Sequence, residues 1–194
     1  LYESNDRAEP DHKEATLSMS YLKFDRRLMA NLDESTQREY IRTNRKGAYC
    51  CSSIVGCNTR KYHGVLVIPV PELSENNHVL LSSLDLTIVQ HGVPFNVGIH
   101  EYEGDIFSPK GHKYIREYNV DIASSTTYRV GGVVLQKEFL FCHYTNRMLQ
   151  RYTLLEAHSR TTLRLSPFLA FRDVKMLTHR NDQYHGDYGQ AKSG

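Results

Sequence analysis

From Glu39 onward the sequence is a series of short runs rich in Val, Ile, Leu, Tyr, Thr and Phe, separated by Gly, Asn, Pro and Ser. Runs of this length and composition, bounded by turn residues, are typical of β-strands. Three of the separators have the chemistry of hairpin turns: residues 43–47, His91-Gly92 and Gly131-Gly132. The pattern therefore predicts antiparallel strands joined by tight turns.

Alternation within the later runs indicates that each strand buries one face. The run after Gly132 places four apolar side chains on one face, interrupted by Lys137: Val133, Leu135, Phe139 and Phe141. The run 161–171 does the same with Leu163, Leu165, Leu169 and Phe171. We expect this run and 148–155 to pair as long antiparallel strands. No window of a dozen residues after Glu39 has a helical stripe, so we predict an all-β fold, an antiparallel two-sheet sandwich.

Length and composition favour one domain. The chain has 194 residues, of which 40% are hydrophobic, and this is enough for a single buried core. Residues 1–18 are polar and charged, with little to bury, and are predicted to be a mobile leader. The sandwich is expected to span 19–180. Residues 181–194 are polar again and are interpreted as a tail or as the truncated end of the sandwich.

Charge and hydropathy argue against two classes of partner. The net charge is +2, the pI is near 8.3, and basic residues are mixed with acidic ones, which disfavours nucleic acid. The longest apolar runs, such as 65–70, fall far short of the roughly 20 residues of a membrane span. The N-terminus also lacks the pattern of a secretory signal. We predict a cytoplasmic protein that binds neither nucleic acid nor membrane.

The cysteines and histidines predict no metal or organic cofactor. Cys50, Cys51, Cys57 and Cys142 match neither a zinc spacing nor a disulfide framework, so reduced thiols are expected. Cys57 lies six residues before His63, but two further well-spaced ligands are lacking.

Four separated stretches carry a family resemblance. The first is 41–67, whose core is the turn Asn58-Thr59-Arg60-Lys61-Tyr62-His63-Gly64 before an apolar run. The others follow in order: 78–85, 107–116 and 167–173. Together they resemble the N-terminal domain of prokaryotic-type glycogen debranching enzymes, the amylo-α-1,6-glucosidases. The resemblance covers roughly residues 19–181.

This resemblance implies a galactose-mutarotase-like supersandwich joined to a C-terminal α/α-barrel that carries the hydrolytic acids. The expected partners are an α-glucan such as glycogen and the barrel of the same protein. Nothing after Gly194 is present to form a barrel, so we expect no catalytic residue in this chain and no activity from it alone. A sandwich cut before its last strands would also leave an unpaired edge.

The turn 58–64 supplies the main candidate site residues. Arg60 and Asn58 can hydrogen-bond sugar hydroxyls, Tyr62 can stack on a pyranose ring, and His63 can donate to a hydroxyl or orient an acid. The alternative is that Asn58 and Arg60 bind the backbone of their own loop, Tyr62 is in the core, and His63 packs at a domain interface. Gly64 is interpreted as a position that allows a backbone conformation or a close approach that a side chain would forbid. A substrate-binding and a domain-interface role both stay open.

Two further groups of charged residues are candidates for a functional site. Arg172 and Asp173 end a predicted strand, where they can present a loop to a ligand or form a surface ion pair. Glycoside hydrolysis needs two carboxyl groups. The segment 101–113 offers three acids, Glu101, Glu103 and Asp105, but a solvated acidic loop also explains them. Four scattered histidines are expected to be partly exposed or hydrogen-bonded: His91, His100, His112 and His143.

Two rival functions remain open. A free-standing carbohydrate-binding module would stack sugar on Tyr102, Tyr114 and Tyr118, although the chain has 13 Tyr and no Trp, the residue best suited to such platforms. A sugar epimerase-like enzyme would need a His and Glu pair, and no such spacing stands out.

Overall fold

The computed structural model describes residues 21–177. The predicted leader 1–18 and the predicted tail 181–194 lie outside this range. The first elements are β1 (Leu22–Asp25), α1 (Arg26–Ala30), α2 (Leu32–Ser35), β2 (Glu39–Thr43), β3 (Tyr49–Ser53), β4 (Gly64–Pro69), β5 (Asn77–Gln90) and β6 (Val93–Asn96). Then come β7 (His100–Tyr102), β8 (Ile106–Ser108), a 3-10 turn (Gly111–Tyr114), β9 (Ile115–Val120), β10 (Ser124–Val130), β11 (Val133–Phe141), β12 (Met148–Glu156) and β13 (Thr161–Asp173).

Two large antiparallel sheets form the domain. One has the strand order β1-β9-β10-β11-β12, and the other has the order β13-β5-β4-β3-β2 with β6 beside β5. Strands β7 and β8 form a separate two-stranded sheet. The prediction of an all-β, antiparallel two-sheet sandwich is confirmed. The two α-helices among residues 21–177 are short and lie before β2. The alternating sequence after Glu39 has no helical stripe and forms strands instead.

The core lies between the two sheets. Val133, Leu135, Phe139 and Phe141 are all buried, as their alternation predicted. Leu135 belongs to a cluster with Leu86 and Ile88 of the opposite sheet, and the two phenylalanines pack with Cys50 in a second cluster. Lys137 shares this face of β11, and its ammonium lies 5.8 Å from the centre of the Tyr128 ring. The cation–aromatic contact offsets part of the cost of placing a charge there.

Two predicted glycine turns are present. His91-Gly92 joins β5 to β6 with φ of 50° and 78°, and Gly131-Gly132 joins β10 to β11 with φ of 57° and 79°. Positive φ at both central residues is the requirement of the tight turn that matches strand twist. The turn residues therefore set the register of both hairpins.

Strands β12 and β13 differ from the prediction that they pair with each other. β12 pairs with β11 and β13 pairs with β5, so the connection between them crosses from one sheet to the other. Alternation identifies a strand but does not choose its neighbour. Both are edge strands, and the side chains predicted to share a buried face of β13 are exposed: Leu163, Leu165, Leu169 and Phe171. Register shifts between Phe168 and Arg172 also interrupt the alternation.

The acidic segment predicted as a loop contains the β7–β8 hairpin. Glu101 and Glu103 are exposed, and Asp105 follows Gly104 in the turn with a positive φ of 57°. Within residues 21–177, no helix is long and apolar enough to cross a membrane.

Candidate functional site

The turn 58–64 connects β3 to β4, and its first residue is bound to the sheet. The Asn58 side-chain amide donates to the Ser82 carbonyl at 2.9 Å and to the Ser82 hydroxyl at 3.2 Å. Its Oδ1 accepts from the Ser52 hydroxyl at 2.8 Å. Both ends of the amide are therefore occupied by protein groups, but these groups belong to β3 and β5 and not to the backbone of the turn itself.

His63, near the other end of the turn, is buried beneath it and binds its backbone. Its side chain is 1% exposed, and Nδ1 accepts a hydrogen bond from the Thr59 backbone N–H at 3.1 Å. Because Nδ1 is the acceptor, the neutral ring carries its proton on Nε2. Burial lowers the pKa of His63; the carboxylate of Glu39 opposes this shift and Arg60 adds to it.

Glu39, at the start of β2, is the site residue that sequence reasoning missed. Its Oε1 lies 3.3 Å from Nε2 of His63, close but not aligned as a hydrogen bond, and it accepts a charge-assisted hydrogen bond from Nε of Arg60. Glu39 precedes His63 by 24 positions. Only the pairing of β2 with β3 and of β3 with β4 brings them together, so no spacing signal could have found the pair.

The same cluster contains three atoms of metal-ligating type. Ligand atoms of Glu39, Cys51 and His63 all lie within 4.8 Å of one another. They fit a metal ion poorly, because Nε2 of His63 carries the proton and Arg60 already binds the Glu39 carboxylate. Burial and the nearby Glu39 also raise the pKa of the Cys51 thiol, which favours its neutral form. The arrangement is better described as a hydrogen-bonded ionic cluster.

The middle of the turn faces outward. Tyr62 is 46% exposed rather than part of the core, and its carbonyl accepts from the Tyr49 hydroxyl at 3.0 Å. The Lys61 ammonium lies 5.2 Å from the centre of the Tyr62 ring. The Arg60 side chain is 64% exposed beyond its contact with Glu39. The turn therefore presents two cations and an aromatic face to solvent.

Arg172 joins this site from β13, on the far edge of the same sheet. One guanidinium nitrogen donates to the Lys61 carbonyl at 2.7 Å and the other donates to the Met176 carbonyl at 2.7 Å. Partial burial lowers the pKa of Arg172, while the nearby Tyr49 and Asp173 oppose the shift. The backbone of the turn is thus held at its centre as well as at both ends.

Asp173 points to a different loop and forms no ion pair with Arg172. Its carboxylate accepts from the Lys175 backbone N–H at 2.8 Å, from the Asn76 amide at 2.9 Å and from the Ser74 hydroxyl at 3.4 Å. These hydrogen bonds lower the pKa of Asp173, and the one from the Lys175 backbone N–H has the largest effect. The structure therefore separates two residues that the sequence grouped, because adjacent strand residues face opposite ways.

Phe171, beside Arg172, carries an unusual backbone. It is exposed, and its φ of 47° lies in the left-handed region that a bulky side chain rarely occupies. The strain coincides with the register shift between Leu169 and Arg172. Strain of this kind often accompanies functional surfaces.

Gly64 ends the turn where its backbone lies close to buried side chains. A Cβ there would lie 2.8 Å from a Val67 methyl and 2.9 Å from a Val79 methyl. The interpretation of Gly64 as a close-approach position is confirmed.

Comparison with protein families gives one match over most of the chain. The family model described as "Glycogen debranching enzyme N terminal" matches residues 38–193, a range that includes the turn, Glu39 and Arg172. No curated protein and no solved structure matches the chain. The family match covers well over half of the 194 residues, so the chain belongs to the family of glycogen debranching enzyme N-terminal domains.

Proposed function

We propose that this chain is the N-terminal β-sandwich of a glycogen-debranching α-1,6-glucosidase, and that the turn 58–64 helps to shape the α-glucan site beside a C-terminal α/α-barrel. Glycoside hydrolysis requires a proton donor and a second carboxylate across the scissile bond. In the turn cluster, Glu39 is engaged by Arg60 and faces His63. The hydrolytic acids are therefore assigned to the barrel, and binding is assigned to the turn.

The observation that carries this proposal is the way the turn is held. Asn58, His63 and Arg172 bind it at its two ends and its centre, while Tyr62 and Lys61 remain exposed. A turn held in this way loses little conformational entropy when it contacts a ligand or a neighbouring domain. Its exposed aromatic ring and donors suit the C–H face and hydroxyl groups of a glucose unit.

Exposed apolar side chains support the packing of a neighbouring domain. The two edge strands β12 and β13 expose several leucines and one further aromatic side chain: Leu149, Leu154, Leu155, Leu163, Leu165, Leu169 and Phe171. Several exposed apolar side chains on an edge strand are a feature of interaction sites. The barrel of the same protein is the proposed occupant, and the turn 58–64 contacts β13 through Arg172, next to this surface.

The test joins this chain to the protein segment encoded immediately downstream and measures release of glucose from a branched glucan with single-glucose α-1,6 stubs. The 194-residue chain should release none, and the joined protein should be active. Tyr62→Ala should raise KM about fivefold with a smaller effect on kcat, since it removes a stacking contact. Tyr144→Ala, which removes an exposed tyrosine between β11 and β12, is the matched control. An inactive joined protein would refute the proposal.

The alternative of a free-standing carbohydrate-binding module has less support. Of its three proposed stacking residues, Tyr102 is exposed, Tyr114 packs partly against the core, and Tyr118 is buried at 3% exposure. The module requires an exposed Tyr118, but this side chain packs in the core between the two sheets. Retardation of the 194-residue chain in a glycogen-containing native gel, abolished by Tyr102→Ala, would favour the module.

A further inference from the structure

A second polar cluster lies apart from the turn, where β5, β7 and β13 converge. Nε2 of His100 lies 2.8 Å from Oδ2 of Asp85. The centre of the Phe168 ring lies 5.1 Å from the centre of the His100 ring, with 47° between the ring planes. No pattern in the sequence points to a role for Asp85 or Phe168, and His100 is one of four scattered histidines.

The backbone around this cluster is shaped to bring Asp85 and His100 together. A Cβ at Gly98 would lie 2.6 Å from Oδ2 of Asp85, so a side chain at this position would displace the carboxylate. The Gly98 N–H donates to Oδ1 of Asn96 at 2.8 Å, which holds the segment that leads to His100. The contact between the carboxylate and the imidazole therefore depends on glycine at 98.

The cluster combines a buried acid with a partly exposed imidazole and an exposed aromatic ring. The Asp85 side chain is 9% exposed, the His100 side chain is 23% exposed, and Phe168 is 48% exposed. A buried carboxylate is costly unless it is paired, and within residues 21–177 His100 is the side chain in contact with it at hydrogen-bond distance. Among residues 21–177 no group bonds the other imidazole nitrogen, so the acid orients an imidazole that can bind a ligand beside an open aromatic face.

We propose that Asp85, His100 and Phe168 form a second α-glucan subsite, which binds one pyranose ring. The Phe168 ring stacks on the C–H face of the sugar, and His100, oriented by Asp85, hydrogen-bonds a hydroxyl group. This inference rests on the glucan chemistry of the proposed function but uses no residue of the turn 58–64.

The positions of the two sites favour one extended ligand over two unrelated ones. Phe168 and Arg172 lie four residues apart on the same strand, and with the register shifts between them the span is at most about 13 Å. Arg172 binds the turn through the Lys61 carbonyl. A linear glucan lying along β13 would therefore reach both sites, whereas a single monosaccharide would occupy only one.

The test titrates the 194-residue chain with maltoheptaose and measures affinity by calorimetry. Phe168→Leu keeps an apolar side chain and removes the aromatic face, and it should weaken binding about fivefold to tenfold. Asp85→Asn keeps the shape and removes the charge, and it should weaken binding and shift the His100 imidazole signals in the NMR spectrum. Tyr144→Leu is the control and should bind as the wild type does.

A second measurement does not depend on variants. Intermolecular nuclear Overhauser effects should connect the Phe168 ring protons with sugar C–H protons in the wild-type complex. Unchanged affinity in Phe168→Leu, or no binding of maltoheptaose by the wild type at millimolar concentration, would overturn the subsite. The proposed function is judged separately by glucose release from the joined protein, so the two can fail independently.

Discussion

Replacing Asn58 by alanine should destabilise the domain far more than replacing its exposed neighbour Arg60. Asn58→Ala removes two donated hydrogen bonds to Ser82 and one accepted from Ser52. The Ser52 hydroxyl keeps a longer contact with the Cys57 carbonyl, so part of its bonding survives. At about 0.5–1.5 kcal/mol for each bond, the loss should be about 2–3 kcal/mol.

Urea unfolding followed by far-ultraviolet circular dichroism measures this loss. With an m-value of about 2 kcal/mol/M, the midpoint of Asn58→Ala should fall by about 1 M. Arg60→Ala removes an exposed ion pair with Glu39, worth about 0–1 kcal/mol, and should leave the midpoint nearly unchanged. If the two variants have equal midpoints, Asn58 does not hold the turn, and its amide is free for a ligand.

Three other variants or conditions test the same geometry. Gly64→Ala should cost about 1–3 kcal/mol in urea unfolding, because its Cβ would overlap two core methyl groups; a cost near zero would contradict the close approach. Burial lowers the pKa of His63, so the stabilisation that its neutral form gives is present above the ordinary histidine pKa and is lost as pH falls. In His63→Gln, the free energy of unfolding should therefore decline less steeply from about pH 7 to about pH 5 than it does in the wild type. Burial raises the pKa of Cys50 to about 12 and that of Cys57 to about 11, so their contribution to stability is present below the ordinary value of 9.0 and is lost as pH rises toward those pKa values. Both thiols should react with iodoacetamide slowly in the native protein and quickly in urea, and equal rates would contradict their burial.

Much of the fold could be predicted from the sequence because strands and turns depend on residues that are close together along the chain. The turns His91-Gly92 and Gly131-Gly132 have positive φ at both residues, and alternation over 133–141 assigns a buried face to that strand; the structure contains both features. The order of strands was not predictable in this way, because pairing is decided by which edges meet in three dimensions. The expected partnership of β12 with β13 failed for this reason.

The candidate site was predicted in part. The turn 58–64 was located by its motif, and Arg172 lies against it, but a sequence cannot say which polar atoms are satisfied by the protein itself. Asn58 is fully engaged, Tyr62 is exposed, and Asp173 serves another loop. Whether these residues bind substrate or a neighbouring domain stays a prediction.

By itself, the sequence determined the strand character of the chain, its hairpin turns and the family to which its motifs point, since these depend on residues close together along the chain. Only the tertiary structure decided that Glu39 meets His63 and that Asp85 meets His100, because each contact joins side chains from different elements of the fold. Side-chain chemistry at such contacts depends on burial and on the direction of each donor. Neither quantity exists until the two sheets have packed.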